Sequence, residues 1–276
     1  MGPSLDLSKK NILVTGGSRG LGFAVAQTCL QFGARVVICA RDESRVREAV
    51  KELGRVAGPK AVRGVAADVG KCEQIDAALD VLESHFGALT SLVHAAAVQT
   101  PIGNITEVDP DEWLETVRID LFGAFIATRQ ACLRMQPRGG RIVLFAGGGA
   151  ASPRPNFTAY ACSKAAVVRL AETAALEMAH QGIEVNVLAP GPVRTRLLEQ
   201  AIGAGEHPAA EEVPASLGAG AAAFLISDRA AGITGKFVAA PHDGWQHWHD
   251  HLAELSASDI FTLRRILPRD RGMDWQ

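Results

Sequence analysis

The chain has 276 residues, of which 47% are hydrophobic and 21% are charged, a composition that predicts a soluble globular protein with a substantial core. A formal net charge of -2 gives no reason to expect nucleic acid as a partner, and no apolar run approaches the roughly 20 residues that cross a membrane. Five scattered cysteines without a CxxC pair, and an N-terminus without an apolar signal core, predict a cytoplasmic protein with reduced thiols.

Strand-like apolar runs alternate with helical patterns along most of the chain. Strands are predicted at residues 11–14, 36–40, 61–67, 89–97, 142–145, 184–188 and 235–238. Helices are predicted at residues 43–53, 73–86, 111–135, 156–180 and 219–225, after a first helix that begins near residue 22. Near-continuous apolar strands joined by helices predict an α/β fold, with one doubly wound parallel sheet, right-handed crossovers and helices on both faces.

Two segments depart from this alternation. Residues 192–216 are rich in Ala, Gly, Glu and Pro, and their position after the sixth strand favours a substrate lid over a mobile surface loop. Residues 241–276 continue past the last predicted strand. The chain is therefore divided into a domain at residues 1–240 and a C-terminal extension at residues 241–276, which either forms an interface or covers the active site.

The extension begins with a segment rich in histidine and tryptophan. His247, His249 and His251 alternate, which suits metal ligands on an extended segment. We favour the alternative, in which the extension packs on a neighbouring subunit with Trp245 and Trp248 as its anchors, and no metal site is predicted. A helical pattern at residues 259–267 is the candidate cover for a substrate entrance.

Residues 15–22, with the sequence TGGSRGLG, lie between the first predicted strand and the first helix. Gly16, Gly20 and Gly22 let the backbone turn tightly and approach a ligand closely. The helix that follows directs unpaired N–H groups at an anion. Glycine-rich turns are common in loops, but the position at the start of a βαβ unit favours a pyrophosphate site, and hence dinucleotide binding, over a structural turn.

Tyr160 and Lys164 are four residues apart in a predicted helix and therefore share one face. A phenol has a pKa near ~10, and a neighbouring ammonium group is expected to lower it toward the range useful for proton transfer. Tyr160 is the single tyrosine of the chain, which favours a catalytic role over that of a surface tyrosine on an amphipathic helix.

Together with Asp68-Val69 and the sequence APGPV at residues 189–193, the TGxxxGxG turn and the YxxxK helix resemble the short-chain dehydrogenase/reductase family over about residues 8 to 240. The resemblance implies a Rossmann fold, a nicotinamide cofactor, a small-molecule substrate and a homotetramer or homodimer, with no nucleic-acid or membrane partner. It implies that Tyr160 exchanges a proton with the substrate oxygen and that Lys164 also holds the nicotinamide ribose. The residues expected to contact the cofactor are Gly16, Ser18, Arg19, Gly20, Leu21, Gly22, Arg41, Asp68, Val69, His94, Ala96, Tyr160, Lys164, Pro190, Gly191, Val193 and Thr195.

The charges near the second strand indicate which nicotinamide cofactor binds. An NAD enzyme commonly places an acid after this strand to hold the ribose 2′-hydroxyl. Here Ala40 ends the strand and Arg41 follows it, and Arg19 lies within the glycine turn. Two guanidinium groups suit a 2′-phosphate, so NADP(H) is predicted over NAD, with Asp42 interpreted as the N-cap of the next helix.

Three positions depart from the family's pattern. His94-Ala95-Ala96-Ala97 stands where the family has Asn-Asn-Ala-Gly, and His94 is interpreted as a structural histidine that braces the loop. Asp120 replaces the asparagine that holds a water in the family's proton relay. Asp120 is the third predicted catalytic residue, because its carboxylate can accept the same hydrogen bonds and adds a charge that favours protonated Lys164.

The third departure is Gly147, which stands where the family has its catalytic serine. Losing one such hydrogen-bond donor can raise the barrier by roughly 3–4 kcal/mol. The candidate replacements are Ser152, Thr158 and the backbone N–H groups of residues 147–149. The predicted function is NADPH-dependent reduction of a ketone on a small polar or secondary-metabolite substrate. Enoyl or dienoyl reduction, epimerisation, elimination and cofactor binding with little catalysis are the alternatives.

Overall fold

The computed structural model describes residues 5–136, 138–205 and 211–274. Within these ranges a sheet of seven parallel strands has the order β3-β2-β1-β4-β5-β6-β7. The strands are β1 (Asn11–Thr15), β2 (Arg35–Ala40), β3 (Val62–Ala66), β4 (Ser91–His94), β5 (Gly140–Phe145), β6 (Ile183–Ala189) and β7 (Phe237–Ala239).

Helices connect the strands and cover both faces of the sheet. They are α1 (Gly20–Gln31), α2 (Glu43–Ala57), α3 (Cys72–Phe86), α4 (Pro110–Val117), α5 (Gly123–Met135), α6 (Thr158–Met178), α7 (Arg196–Gly203), α8 (Ala215–Ile226) and α9 (Leu252–Ala257). One buried apolar cluster joins the sheet to α1, α2 and α8, and a second joins its other face to α3, α5 and α6. The predicted doubly wound α/β architecture is confirmed.

The direction of winding reverses where β1 lies beside β4. The chain runs outward from β1 through β2 to β3 and then returns to the other side of β1 with β4. In open α/β sheets, ligands bind at the carboxyl ends of the strands at such a switch point. The register places Thr15 opposite Cys39 on one side and opposite His94 on the other. The loops that follow β1 and β4 therefore open into one crevice.

The long helix predicted at residues 111–135 is interrupted. A π-helical segment, Arg118–Phe122, separates α4 from α5. The apolar spacing of a helix is nearly the same with or without one wide turn, so the pattern could not reveal this interruption. A further helix, α7, lies inside the segment predicted as a lid, and residues 206–210 of that segment lie outside the described residues.

The helix predicted at residues 259–267 is wrong. Phe261 has a positive φ of 57°, and its carbonyl oxygen accepts the N–H of Phe237 at 2.7 Å. The N–H of Leu263 donates to Oε1 of Glu172 at 2.6 Å on α6. Backbone groups of this segment thus pair with β7 and α6, and these tertiary contacts override its helical spacing.

The C-terminal extension packs on its own chain. Trp245 and Trp248 are buried in the apolar cluster that holds α8, and the Trp245 ring lies 5.6 Å from that of Phe224. The Trp248 ring lies 4.5 Å from that of Phe261. The prediction that these tryptophans anchor a neighbouring subunit is therefore wrong. No helix in the described ranges is long and apolar enough to cross a membrane.

Candidate active site

The glycine turn between β1 and α1 requires glycine for its backbone and for its packing. Gly16 and Gly20 have φ values of 66° and 56°, a region that side chains disfavour. A Cβ on Gly16 would lie 2.7 Å from the amide nitrogen of Ala96, and one on Gly22 would overlap the carbonyl of Gly16. The turn thereby packs against the loop after β4 and leaves the first free N–H groups of α1 at the wall of the crevice.

The crevice is a cleft of about 1110 Å³ lined by the loops that follow the first six strands, β1 to β6. His94 and Asp120 are the two predicted site residues that do not line it. The predicted residues in its wall are Gly16, Ser18, Arg19, Gly20, Leu21, Gly22, Arg41, Asp68, Val69, Ala96, Tyr160, Lys164, Pro190, Gly191, Val193 and Thr195.

An arginine group stands beside the glycine turn and consists of Arg19, Arg41, Arg45 and Arg196. Burial lowers the pKa of the Arg19 guanidinium, and the positive charges of the other three arginines lower it further. Mutual repulsion of this kind is relieved by an anion. The nearby Asp42 caps α2 as predicted, since its carboxylate accepts the N–H of Arg45 at 3.2 Å.

Asp68 is held ionised at the cleft wall. Its Oδ1 accepts the N–H of Gly70 at 2.9 Å, and its Oδ2 lies 3.2 Å from Nη2 of Arg118. Burial opposes ionisation, but the hydrogen bonds from Gly70 and Arg118 outweigh it, so the pKa of Asp68 is lowered overall. The carboxylate is therefore a fixed acceptor at the position where the resemblance expects the adenine ring.

Tyr160, Lys164 and Asp120 come together in the middle of the site. The Lys164 ammonium lies 5.5 Å from the centre of the Tyr160 ring and donates to the carbonyl of Phe145 at 3.1 Å. Its Nζ is 3.3 Å from Oδ2 of Asp120, an ion pair between two fully buried side chains that lacks the alignment of a hydrogen bond. Oδ1 of Asp120 accepts the N–H of Val98 at 2.8 Å. Asp120 thus ties Lys164 to the loop after β4.

Asp120 owes its position to the π-helical segment. The wide turn Arg118–Phe122, at the junction of α4 and α5, places Asp120 on the buried side. π-turns within α-helices occur frequently at functional sites. The burial of its carboxylate raises the pKa of Asp120, and the charge of Lys164 opposes that rise.

The pKa of Tyr160 departs from the expectation based on sequence. Burial of the phenol raises its pKa, and the charge of Asp120 acts in the same direction, while Lys164 and Arg154 oppose them. The spacing of Tyr160 and Lys164 in the sequence indicated a nearby ammonium group but not the burial of the phenol, which has the larger effect on the pKa of Tyr160. The predicted lowering is therefore wrong for the protein alone, and Tyr160 stays protonated at neutral pH.

His94 is a structural histidine behind the cleft wall. Its Nδ1 lies 2.9 Å from the hydroxyl oxygen of Thr15, across the β1–β4 pairing. Burial lowers the pKa of His94 to about 3, and the positive charge of Lys164 adds to this effect. The imidazole is therefore neutral and joins β4 to β1 at the switch point, and it does not line the cleft.

Gly147 lies directly beneath the Tyr160 hydroxyl. A Cβ built on Gly147 would overlap that hydroxyl oxygen and would lie 3.1 Å from Cζ of the ring. The backbone of Gly147 is not in the left-handed region. The absence of a side chain therefore makes room for the phenol and is not required by the backbone conformation. The space that a side chain at residue 147 would need is therefore occupied by Tyr160.

The proposed replacements for the serine differ in their access to the cleft. Ser152 and the backbone of residues 147–149 line it, whereas Thr158 does not. The Thr158 hydroxyl instead accepts the indole N–H of Trp113 at 3.1 Å. The structure thus leaves Ser152 and the glycine N–H groups as candidates.

Leu197, Ala201 and Arg154 line the cleft but belong to none of the motifs described above. Leu197 and Ala201 of α7 pack against Phe157 and Tyr160. Arg154, in the loop before α6, places its guanidinium carbon 5.8 Å from the centre of the Tyr160 ring. The sequence Pro153-Arg154-Pro155, a charge held between two prolines in the loop that carries Gly147, was the available signal.

The histidines of the C-terminal extension are dispersed. His249 contacts Arg229, and Nδ1 of His251 lies 3.8 Å from the carboxylate of Glu254. His242 lines the cleft. In the described part of the chain, no group of three or more His, Cys, Asp or Glu side chains is arranged to hold a metal ion.

Known proteins are similar to this chain in sequence and in fold. The family model described as short chain dehydrogenase matches residues 10–204. The 3beta-hydroxysteroid dehydrogenase 1 of Eggerthella lenta is 35% identical over 241 residues, which cover 83% of this chain and 91% of that protein. A short-chain type dehydrogenase/reductase from Mycobacterium ulcerans superposes with a TM-score of 0.78 at 28% identity, covering 95% of this chain and 100% of the other. A gluconate 5-dehydrogenase from Burkholderia cenocepacia, in complex with NADP and tartrate, has a TM-score of 0.77 at 27% identity, covering 85% and 94%.

Proposed function

Because this chain belongs to the short-chain dehydrogenase/reductase family of oxidoreductases, we propose that it reduces a ketone to an alcohol with NADPH, on a small polar or secondary-metabolite substrate. The observation that carries the proposal is the juxtaposition of Tyr160, Lys164 and Asp120 at a cleft that begins at the glycine turn.

The residues of the cleft fit a phosphorylated dinucleotide. The glycine turn leaves space and free N–H groups where a pyrophosphate would lie. The arginine group supplies guanidinium groups for a 2′-phosphate, which accepts forked, charge-assisted hydrogen bonds. Asp42, the one acid suited to an NAD ribose, is engaged with the start of α2. A related gluconate 5-dehydrogenase carries NADP, which supports the same choice.

The proposed reaction uses the burial of Tyr160. Bound NADPH would supply the hydride that reduces the carbonyl carbon. Tyr160 donates its phenolic proton to the carbonyl oxygen, so one C–H and one O–H bond form as the C=O π-bond breaks. Burial keeps the phenol in the protonated form that this donation requires. Lys164 stabilises the phenolate that remains, and Asp120 holds Lys164 in place.

Gly147 gives the alternatives a specific basis. Gly147 supplies no hydroxyl to stabilise negative charge on a carbonyl oxygen. Enoyl or dienoyl reduction, epimerisation and elimination develop charge elsewhere on the substrate. A cofactor-binding protein with little catalysis is the remaining alternative.

The proposal is tested by cofactor titration followed by a substrate panel. We expect NADPH to bind more tightly than NADH, measured by cofactor fluorescence, and NADPH to be oxidised with ketones. Tyr160→Phe should abolish turnover and leave the Kd for NADPH nearly unchanged, because the phenol ring and Lys164 remain. NADPH oxidation with enones alone would favour enoyl or dienoyl reduction and the other non-standard reactions. Binding of NADPH without its oxidation on any substrate would favour a cofactor-binding protein with little catalysis.

We also propose that the chain associates with copies of itself in the cytoplasm. Phe122 and Phe125 are 48% and 44% exposed, and their rings stack with centroids 6.1 Å apart. Leu133, which is 52% exposed, extends this apolar stripe along α5. A second copy of the chain would cover the stripe, in a homodimer or homotetramer. The five free cysteines, of which three are buried, support a reducing compartment.

A further inference from the structure

Arg154 is a cation in the cleft wall that the reduction described above does not use. Arg154 is half-buried and lies in the loop between β5 and α6, which also carries Gly147. Among the described residues, no carboxylate forms an ion pair with it. Of the acids that line the cleft, Asp42 and Asp68 are engaged elsewhere, and Glu199 on α7 forms no ion pair with Arg154.

The guanidinium is held by its face. Its central carbon lies 3.6 Å from the centre of the Phe157 ring, so the two planar groups are in direct contact. Contact through the face leaves the N–H groups at the edge of a guanidinium available to an acceptor in its plane. Phe157 is fully buried and fixes the stacking partner.

The backbone of Arg154 is also fixed. Pro153 and Pro155 flank it, and a residue before proline is restricted to extended conformations. Its carbonyl oxygen accepts the N–H of Phe157 at 3.3 Å. A cation fixed at backbone and side chain loses little freedom when it binds a ligand, which is the property of a specificity residue.

The position of Arg154 defines what the cation can bind. Its guanidinium carbon is 5.8 Å from the centre of the Tyr160 ring, on the wall of the same cleft. One small molecule can therefore reach the proton donor and the guanidinium together. Resting on the proposed ketone reduction, we propose that Arg154 binds a carboxylate of the substrate, so that the substrate is a small keto acid whose carboxylate lies a few bonds from the reacting carbonyl.

The test compares acids with their neutral esters. Pyruvate, acetoacetate and levulinate place the carboxylate at three distances from the ketone, and each is paired with its methyl ester. Binding to the protein with and without NADP⁺ is measured by calorimetry, and NADPH oxidation is measured separately. We expect at least one acid to bind about tenfold to hundredfold more tightly than its ester, the range for a hydrogen bond to a charged group.

Arg154→Gln should remove this preference, because binding of the acid becomes weaker while binding of the ester is unchanged. Arg154→Lys should retain only part of the preference, because lysine keeps the positive charge but lacks the stacked, planar fork. Arg47→Gln, an exposed arginine on α2 with one helical ion pair, is the matched control and should behave as the native protein. Equal binding of every acid and its ester, or an acid preference that survives Arg154→Gln, would overturn the proposal. Selective acid binding lost in Arg154→Gln, but without NADPH oxidation, would support Arg154 while rejecting the reductase function.

Discussion

At the scale of single residues, the active centre is a set of buried groups whose protonation is controlled by their surroundings. Lys164 and Asp120 form an ion pair with 2% and 0% of their side chains exposed. Removing one partner of such a pair leaves an uncompensated buried charge. The Tyr160 hydroxyl lies against Gly147, and the Lys164 ammonium lies 5.5 Å from the centre of the Tyr160 ring.

Gly147→Ser should reduce ketone turnover, although it restores the family's residue. The new Cβ would overlap the Tyr160 hydroxyl and displace the phenol. A misplacement of about 1 Å can cost on the order of a hundredfold in rate. We expect kcat for NADPH-dependent reduction to fall at least tenfold in steady-state assays. Gly148→Ser is the control, because a Cβ there meets nothing within 4 Å. A native or higher rate for Gly147→Ser would show that the phenol does not occupy this space.

Asp120→Asn should shift the pH dependence of reduction. The charge of Asp120 is one cause that raises the pKa of Tyr160, after burial, so removing it lowers that pKa. Reduction requires protonated Tyr160 and is lost as pH rises through the pKa of Tyr160. The alkaline limb of the kcat profile should therefore move to lower pH. Asp80→Asn, at an exposed position on α3, should leave the limb in place. A limb that moves upward would contradict the assigned sign.

The residues of this centre were predictable to different degrees. Spacing alone identified Tyr160 and Lys164, and comparison with the family's pattern identified Asp120 and Gly147. The burial of Tyr160 depends on α7, which is distant in sequence, so its raised pKa left no mark in the local pattern. Arg154 has significance only through its stacking on Phe157 and its distance to Tyr160, which a sequence does not contain.

At the scale of elements, the C-terminal extension completes the core on the side of α8. The indole N–H of Trp245 donates to the backbone carbonyl of Ala240 at 3.1 Å, and the indole N–H of Trp248 donates to the backbone carbonyl of Asp243 at 2.9 Å. Both rings are therefore buried with their polar atoms satisfied. The extension therefore contributes Trp245, Trp248 and Leu255 to the apolar cluster that also holds α8.

Trp248→Ala should destabilise the whole domain. Replacing a buried tryptophan by alanine typically costs about 3–5 kcal/mol through lost burial and the remaining cavity. We expect the free energy of unfolding in urea to fall by an amount in this range, with a matching fall in Tm. His247→Ala, at an exposed position one residue earlier, should stay within about 0.5 kcal/mol. An unfolding curve unchanged by Trp248→Ala would mean that the extension does not pack as described.

The elements of the sheet were predictable because strand and helix periods alternate cleanly along the chain. The strands of the structure fall within or beside the predicted runs, and the helices that pack on them carry the expected apolar faces. The failures lie where partners distant in sequence decide the conformation. Residues 259–267 lose their predicted helix to hydrogen bonds with β7 and α6, and the π-helical segment is set by its packing at the site.

At the scale of the whole molecule, the α5 region presents apolar side chains to solvent. The stacked Phe122 and Phe125, with Leu133 farther along α5, form an apolar stripe on an otherwise covered helix. Exposed apolar surface of this kind marks contact with another protein. The sequence showed apolar residues around this helix, but which of them stay exposed follows only from the position of α5 against the sheet.

Phe125→Glu should weaken self-association. A carboxylate in the stripe would be buried without a partner when a second copy binds, which costs several kcal/mol. Analytical ultracentrifugation should show the native chain as a dimer or tetramer and the variant as a smaller species at the same concentration. Val56→Glu, at a partly exposed position on α2, should retain the native state of association. A native chain that sediments as a monomer would reject the proposed association.

The contact between Gly147 and Tyr160 also constrains how this protein can change through mutation. Because a side chain at residue 147 and the present position of the phenol exclude one another, the two sites are coupled and their substitutions are not additive. A serine at residue 147 would require the phenol to shift within its surroundings, which include Leu197 and Ala201 of α7. We therefore expect the single step from glycine to serine to be harmful unless residues around Tyr160 change first, so that the order of substitutions would determine which mutational paths remain open.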